Sequence, residues 1–377
     1  MTQENIKVLV VDDSAVIRAL ICDLVAAAPG LSVVGKARHG REVLDVLAAL
    51  RPDVITLDIQ MPDMNGLAVL DAVLRRQPTP VIMVSALTYA GAAITLEALD
   101  RGAVDYVAKP GSDSIARSVF ATELIEKIRN AAGMDVRRMM ARWKKRLAPD
   151  TALVPPTKAE AGACPAEWGD KCVALGISTG GPPALDKLLG MIRPPQPPIV
   201  IVQHMPPQFT GPLAARLNKV SALSVREAVH GDLLQPNCVL IAPGGKHLEL
   251  SRRGTQVKVT IRDGDTVSGH RPSVDVMMTS AAEIFGPNCL GVIMTGMGRD
   301  GADGCRAIRA AGGYVLGQDE TSSDVYGMNK VAFVEGNVDQ QFGLLDAALA
   351  ITRCVRRTGQ MASIARASKK LQPFAVS

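Results

Sequence analysis

The chain has 377 residues and a net charge of +5; 47% of it is hydrophobic, 21% charged and only 3% aromatic. This composition excludes a disordered protein, and the length suggests two or three domains. So small a charge does not imply nucleic-acid binding, and so few rings argue against a base-stacking platform.

A core poor in rings must be built from Val, Ile, Leu, Ala and Met, which favours parallel sheets covered by helices. The seven cysteines are scattered and form no Cys-x-x-Cys pair, so they read as small buried hydrophobes in a reducing compartment. Met1 to Lys7 is polar and does not read as a signal peptide, and no apolar run is long enough to span a membrane. The expected location is the cytoplasm.

From Lys7 onward, β-branched runs alternate with helical patterns. Strands are expected at 7–13, 31–37, 53–58, 80–85 and 105–110, with helices beginning near Ser14, Gly40, Gly66, Ala90 and after Ser114. Five such units predict an open parallel sheet with helices on both faces, whose chemistry collects at the carboxyl ends of the strands. Asp12 and Asp13 end the first strand, Asp58 the third, Ser85 the fourth and Lys109 the fifth. Three carboxylates on one sheet edge repel unless a cation neutralises them, and oxygen ligands suit Mg²⁺. Taken singly, Asp13 reads as a helix cap, Ser85 as a loop hydroxyl and Lys109-Pro110 as a strand exit. Together they make this segment resemble a two-component receiver over residues 5 to about 127. The resemblance implies Asp58 as phosphoacceptor, with Asp12, Asp13, Asp58 and the Gln60 carbonyl holding Mg²⁺. It also implies Ser85 as switch hydroxyl, Lys109 as phosphate partner and Tyr106 as a rotating aromatic.

Residues 134–147 carry six cations, with Val136, Met140, Trp143 and Leu147 at helical spacing, followed by a Pro- and Ala-rich stretch. This segment reads as a linker with a solvated basic helix; a surface for an acidic partner or membrane is the other reading. The expected domains are a receiver at 1–127, a linker at 128–170, a second domain at 171–357 and a tail at 358–377.

At Lys171 the alternation resumes, with strands expected at 171–177, 198–205, 239–244, 289–296 and 314–319 and a hairpin at 247–263. The first strand runs into Gly176-Ile177-Ser178-Thr179-Gly180-Gly181, which satisfies Gly-x-Ser-x-Gly. From the hexapeptide alone, a projected nucleophilic serine and a phosphate-binding Gly-rich loop are equally good readings. Of five histidines, His204 alone ends a buried strand beside the serine strand, which suits a general base. Asp300, past another buried strand, is the candidate acid, with Asp303 close enough to compete. The order Ser, His, Asp differs from that of α/β-hydrolases, so that fold is not expected.

Together GISTGG, QHMP, IAPGGKHL, RPSVDVM, MTGMGRDGA and GQDE make residues 171–355 resemble the catalytic domain of the chemotaxis protein-glutamate methylesterases. The resemblance implies a triad of Ser178, His204 and Asp300, with Thr179 and the Met297 N–H at the oxyanion. The fold expected is α/β, two doubly wound parallel-sheet domains (a flavodoxin-like receiver and a Rossmann-like esterase) joined by the linker. The expected activity is phosphorylation-activated hydrolysis of glutamate methyl esters on chemoreceptors, and deamidation of receptor glutamine. A chemotaxis histidine kinase is the expected phosphodonor; no cofactor is expected for the esterase. Asn329 departs from the family, which usually has proline after the methionine, and puts that turn in doubt. Two rivals are a non-enzymatic regulator, against which the missing P-loop ending and helix-turn-helix speak, and a hydrolase of small diffusible esters.

Overall fold

The computed structural model describes residues 5–86, 88–111, 114–137, 140–141 and 168–357. The chain divides into two compact units, Met1–Leu153 and Val154–Ser377.

The first unit alternates β1 (Ile6–Val11), α1 (Ala15–Ala27), β2 (Leu31–Ala37), α2 (Gly40–Leu50), β3 (Val54–Asp58), α3 (Gly66–Arg76), β4 (Val81–Ser85), α4 (Tyr89–Arg101), β5 (Asp105–Ala108) and α5 (Ser114–Ala132). Its sheet has the order β2-β1-β3-β4-β5, all parallel. This is the flavodoxin-like order, whose reversal between β1 and β3 opens a crevice at the strand ends. Helices α1 and α5 pack on each other while α2, α3 and α4 form a second contiguous group, so both faces are covered. β1 stops at Val11, earlier than expected, because Asp12 and Asp13 already belong to the turn that Ser14 closes by capping α1. α5 continues to Ala132, past the expected receiver end at 127. Most of the expected linker, and the tail at 358–377, lie outside the described residues.

The second unit contains β6 (Cys172–Ile177), α6 (Gly181–Met191), β7 (Ile199–Gln203), α7 (Pro207–Val220), β8 (Ser224–Glu227), β9 (Cys238–Ile241), the hairpin β10 (His247–Arg253) and β11 (Gln256–Arg262), α8 (Val274–Phe285), β12 (Cys289–Ile293), α9 (Ala302–Ala310), β13 (Tyr314–Gln318), α10 (Met328–Val334) and β14 (Gln340–Phe342). Its parallel sheet runs β14-β13-β12-β6-β7-β9-β8. β6 through β9 wind outward in one direction and β12 through β14 in the other. The winding therefore reverses between β6 and β12, where a crevice must open. Cys172 and Ala174 of β6, with Val200 and Val202 of β7, face a core layer made with the hairpin, α8 and α9. Val173, Leu175, Ile199 and Ile201 alternate with them and are equally buried, pointing to the opposite face. Burial on both faces explains the unbroken apolar strands.

Two strands escape sequence reading. β8 (SVRE) and β14 (QQF) are short edge strands with a single fully buried side chain each, Val225 and Phe342, so neither shows an apolar run. Asn329 does not break its turn. It is buried in the first turn of α10 and donates to the Gln318 carbonyl and to Ser323 Oγ, both at 2.8 Å. Of the described cysteines, Cys22, Cys172, Cys289, Cys305 and Cys354 are buried and Cys238 half-buried, all with free thiols.

Phe209, fully buried near the start of α7, anchors the helix that follows the His204 loop. Phe209→Ala should lower unfolding stability by about 3–5 kcal/mol. Phe209→Leu, which keeps most of the volume, should cost clearly less. Urea unfolding of the full chain, followed through the transition of the second unit, measures both; equal losses would show that packing volume does not hold this helix.

Candidate functional sites

In the second unit, Ser178 follows β6, His204 follows β7 and Asp300 lies in the loop after β12. These are three adjacent strands in the sheet, so residues far apart in sequence meet at one edge. The ends are tied together through the backbone. The His204 N–H donates to the Ile177 carbonyl at 3.2 Å and the Ser178 N–H to the Thr295 carbonyl at 2.9 Å. The buried Gln203 amide donates to the carbonyls of Ser178 and His204 at 3.0 and 3.2 Å, bridging serine and histidine from beneath. At Gly296 an added Cβ would come within 2.7 Å of Ser178 Cβ and 2.4 Å of Met328 Sδ. Only glycine lets the β12 loop approach the serine this closely.

Asp300 is wholly buried, a position costly for an ion unless donors surround it. Its Oδ1 accepts from Ser273 Oγ at 2.8 Å and from the Asp275 N–H at 3.0 Å. Its Oδ2 accepts from the Val274 N–H at 2.7 Å and lies 2.8 Å from His204 Nε2. Ser273 caps α8, so the carboxylate also sits at the positive end of that helix. Burial alone would raise its pKa, but the His204 hydrogen bond and charge, with the backbone donors, outweigh it and hold the carboxyl down at about 2. Ionised Asp300 can only accept, so Nε2 of His204 carries the bridging proton, and in the neutral imidazole the lone pair is then on Nδ1. Nδ1 is buried and has no hydrogen-bond partner among the described residues. The described contacts include no Ser178–His204 hydrogen bond; such bonds often close only when substrate arrives.

The competing Asp303 lies in the first turn of α9 and pairs with Arg299 and Arg306, both at 2.8 Å, which hold its carboxyl below the usual range. It belongs to a surface network and not to the buried cluster. Thr179 is buried, and its carbonyl accepts from Thr295 Oγ1 at 2.9 Å. Met297 is half-buried just beyond Gly296. Sequence reasoning assigned no role to Gln203, Ser273, Asp275, Thr295 or Gln318. Asp275 accepts from the N–H groups of Gly301 and Gly304, each at 2.8 Å, clamping the loop that carries Asp300. Burial, with the Asp300 charge beside it, pushes the Asp275 carboxyl up to about 6, against the Gly304 N–H and the Ser268 hydroxyl. Gln318 Oε1 accepts from the Thr295 N–H at 2.9 Å and so supports the residue that holds the Ser178 backbone. The signal for these positions was present in the motifs QHMP, RPSVDVM, MTGMGRDGA and GQDE, without roles.

In the first unit, carboxylate oxygens of Asp12, Asp13 and Asp58 lie within 4.8 Å of one another. The Lys109 ammonium reaches Asp12 Oδ2 at 3.0 Å and Asp58 Oδ2 at 2.9 Å. Asp12 Oδ2 is buried, and its contact with Lys109 lacks hydrogen-bond geometry. Burial, with the neighbouring Asp12 charge, pushes Asp58 up to about 6 despite Lys109 and the Gln60 N–H. Burial raises Asp12 as well. Three carboxylates against one ammonium leave an excess of two negative charges, which a divalent cation with oxygen preference fits. Ser85 is buried, 2.8 Å from Thr95 Oγ1. The Tyr106 ring is buried with the Lys127 ammonium 5.0 Å from its centre.

Residues 173–351 match the CheB methylesterase family and residues 8–119 the response regulator receiver domain. The protein-glutamate methylesterase/protein-glutamine glutaminase 4 of Anaeromyxobacter dehalogenans is 45% identical over 355 residues, covering 94% of this chain and 96% of its own. The corresponding enzyme 1 of Caulobacter vibrioides is 46% identical over 341 residues, 90% of this chain and 95% of its own. The crystal structure of the Thermotoga maritima CheB methylesterase catalytic domain is 38% identical, covering 49% of this chain and 97% of its own, with a TM-score of 0.47.

The depressed Asp300 carboxyl has a consequence for stability. A folded-state pKa below the ordinary value of 3.8 adds stability at higher pH, which is lost as pH falls from about 4 toward about 2. The stability advantage of wild type over Asp300→Asn should therefore shrink as pH is lowered from 5 to 3. Denaturant unfolding of both proteins across that range measures it, and a difference independent of pH would contradict an ionised Asp300.

Proposed function

The chain belongs to the CheB methylesterase family with an N-terminal receiver domain, and on that premise we propose that Ser178, His204 and Asp300 hydrolyse glutamate γ-methyl esters on chemoreceptors under control of Asp58. The carrying observation is the buried Asp300–His204 pair at 2.8 Å, which leaves a basic Nδ1 at the strand end next to that of Ser178.

In this reading Ser178 Oγ attacks the ester carbonyl as its proton passes to His204 Nδ1, and Asp300 stabilises the imidazolium. The oxyanion forms near Thr179 and the Met297 N–H. Collapse breaks the C–O bond, and methanol departs with the proton from His204. Water, deprotonated by His204, then attacks the acyl-serine and releases the glutamate carboxylate and free Ser178. The glutaminase activity named for the relatives follows the same path, with ammonia as leaving group and glutamine as substrate.

In the receiver, Asp12, Asp13, Asp58 and the Gln60 carbonyl would hold Mg²⁺, which supplies charge neutralisation at the acceptor carboxylate. Asp58 accepts the phosphoryl group from a chemotaxis histidine kinase, Lys109 pairs with it, and Ser85 and Tyr106 respond to it. The domain division is a receiver through the end of α5 at Ala132, a linker to 170, an esterase domain to 357 and a tail. The reaction belongs to the cytoplasm, the side where a kinase can reach the receiver; no helix among the described residues is long and apolar enough to cross a membrane.

Methanol release from methylated receptor membranes tests the triad. Ser178→Ala should lower turnover by at least about 10³-fold and His204→Ala nearly as much, because triad members act as a unit. Asp300→Asn should be less damaging though still large. Retention of a tenth of wild-type release by Ser178→Ala would remove the nucleophile assignment.

Phosphorylation is tested separately. A small phosphodonor with Mg²⁺ should add a base-labile phosphate to wild type and raise methanol release. In Asp58→Asn both the label and the donor-dependent rise should vanish. A rise that survives this substitution would place the switch elsewhere.

A further inference from the structure

Asp300 leaves one motion of His204 uncontrolled. The imidazole is attached at Cβ and hydrogen-bonded at Nε2, on the opposite side of the ring. Rotation about the line joining these two points preserves both attachments and swings Nδ1, which has no hydrogen-bond partner among the described residues. A ring held only by the carboxylate would be set in reach but not in direction.

The second imidazole of His270 closes that freedom. The two ring centroids are 3.7 Å apart and the planes differ by 11°, a face-to-face stack. We propose that His270 is a positioning residue for the esterase: its ring fixes the rotation of His204 so that Nδ1 faces the Ser178 hydroxyl. The proposal rests on the triad assigned above and adds to it a second imidazole that acts through His204.

The segment carrying His270 is built to hold it still. A tight turn brings the N–H and C=O groups of Val267 and His270 together at 3.0 and 3.1 Å, with Ser268 and Gly269 in the left-handed region. Ser268 Oγ donates to Asp275 Oδ2 at 2.9 Å, fastening the turn to the start of α8. Asp275 Oδ1 in turn holds the Asp300 loop through Gly301 and Gly304, while Ser273 and Val274 donate to Asp300 itself. Within residues 267–275, therefore, lie both the groups that fix Asp300 and the ring that stacks on His204. The contacts form a closed circuit: His204 to Asp300, Asp300 to the start of α8, Asp275 to Ser268, and the His270 ring back onto His204. His270 is only partly buried, so its ring can be exchanged without opening the core.

The test uses the full chain and methanol release from methylated receptor membranes, with His270→Ala, His270→Leu and His270→Phe. Misplacing a catalytic group by about 1 Å can cost about 100-fold. His270→Ala and His270→Leu should lower kcat by about 10- to 100-fold with KM little changed. His270→Phe, which keeps a flat stacking ring, should recover to within a few-fold of wild type and retain the wild-type pH profile. If Ala fails to fold, the Leu and Phe pair carries the comparison, since both fill the site and only one stacks. Wild-type kcat in the Leu variant would overturn the proposal. So would a Phe variant as poor as Leu, because the imidazole chemistry and not the stack would then matter, or a rise in KM alone, which marks a substrate contact. His204→Ala is measured alongside. If it keeps activity, the triad reading itself fails; if it is inactive while His270→Leu is normal, only the positioning role falls.

Discussion

Everything in the second unit is arranged around one buried negative charge. Removing a carboxylate from water costs several kcal/mol even after the protein relaxes, and Asp300 has no exposure at all. Four donors meet its two oxygens: a serine hydroxyl, two N–H groups at the start of α8, and His204 Nε2. Hydrogen bonds to a charged group contribute about 1.5–3 kcal/mol each, enough together to balance that desolvation. Three of those donors are fixed parts of a helix terminus, so the fourth, the imidazole, is oriented by a site already rigid. The tautomer of His204 follows from this charge and not from any property of the histidine.

The sheet topology makes such an arrangement possible. Because the winding reverses between β6 and β12, the ends of these strands lie at a switch point, where Ser178 and the loop carrying Asp300 meet. A polar lattice lies behind the serine: Asn329 holds Gln318, Gln318 holds Thr295, and Thr295 accepts the Ser178 N–H. It satisfies buried polar groups that would otherwise be costly, and it limits how far the serine backbone can shift. The glycine at 296 is the steric counterpart, allowing this lattice to press directly on the serine turn.

The receiver confronts the same electrostatic problem and resolves it differently. Asp300 is neutralised by donors that never leave, whereas Asp12, Asp13 and Asp58 share one lysine and retain excess negative charge. Asp58 is accordingly pushed up to about 6 by burial and by Asp12, while Asp300 is held down at about 2. One cluster is balanced by donors within the chain; the other keeps an excess of negative charge that a cation would fit. The proposed roles, a permanent orienting group at Asp300 and a reversible acceptor at Asp58, call for these opposite solutions.

The strand ends, the residues on them and the parallel order of the two sheets were legible in the sequence, because apolar runs buried on both faces and Gly-rich turns after them are local signals. Asp12, Asp58, Ser85, Lys109, Ser178 and His204 could each be placed from the strand they follow. The choice of Asp300 over Asp303 was not local: both follow the same strand, and only packing against α8 sets one among buried donors and the other among surface arginines. The edge strands β8 and β14 were invisible because an edge buries too few side chains to leave a pattern. His270 offered no signal beyond being a loop histidine. Its place over His204 depends on a turn fastened through Ser268 to Asp275 and on the docking of α8 beneath it, contacts that exist only once distant segments have packed.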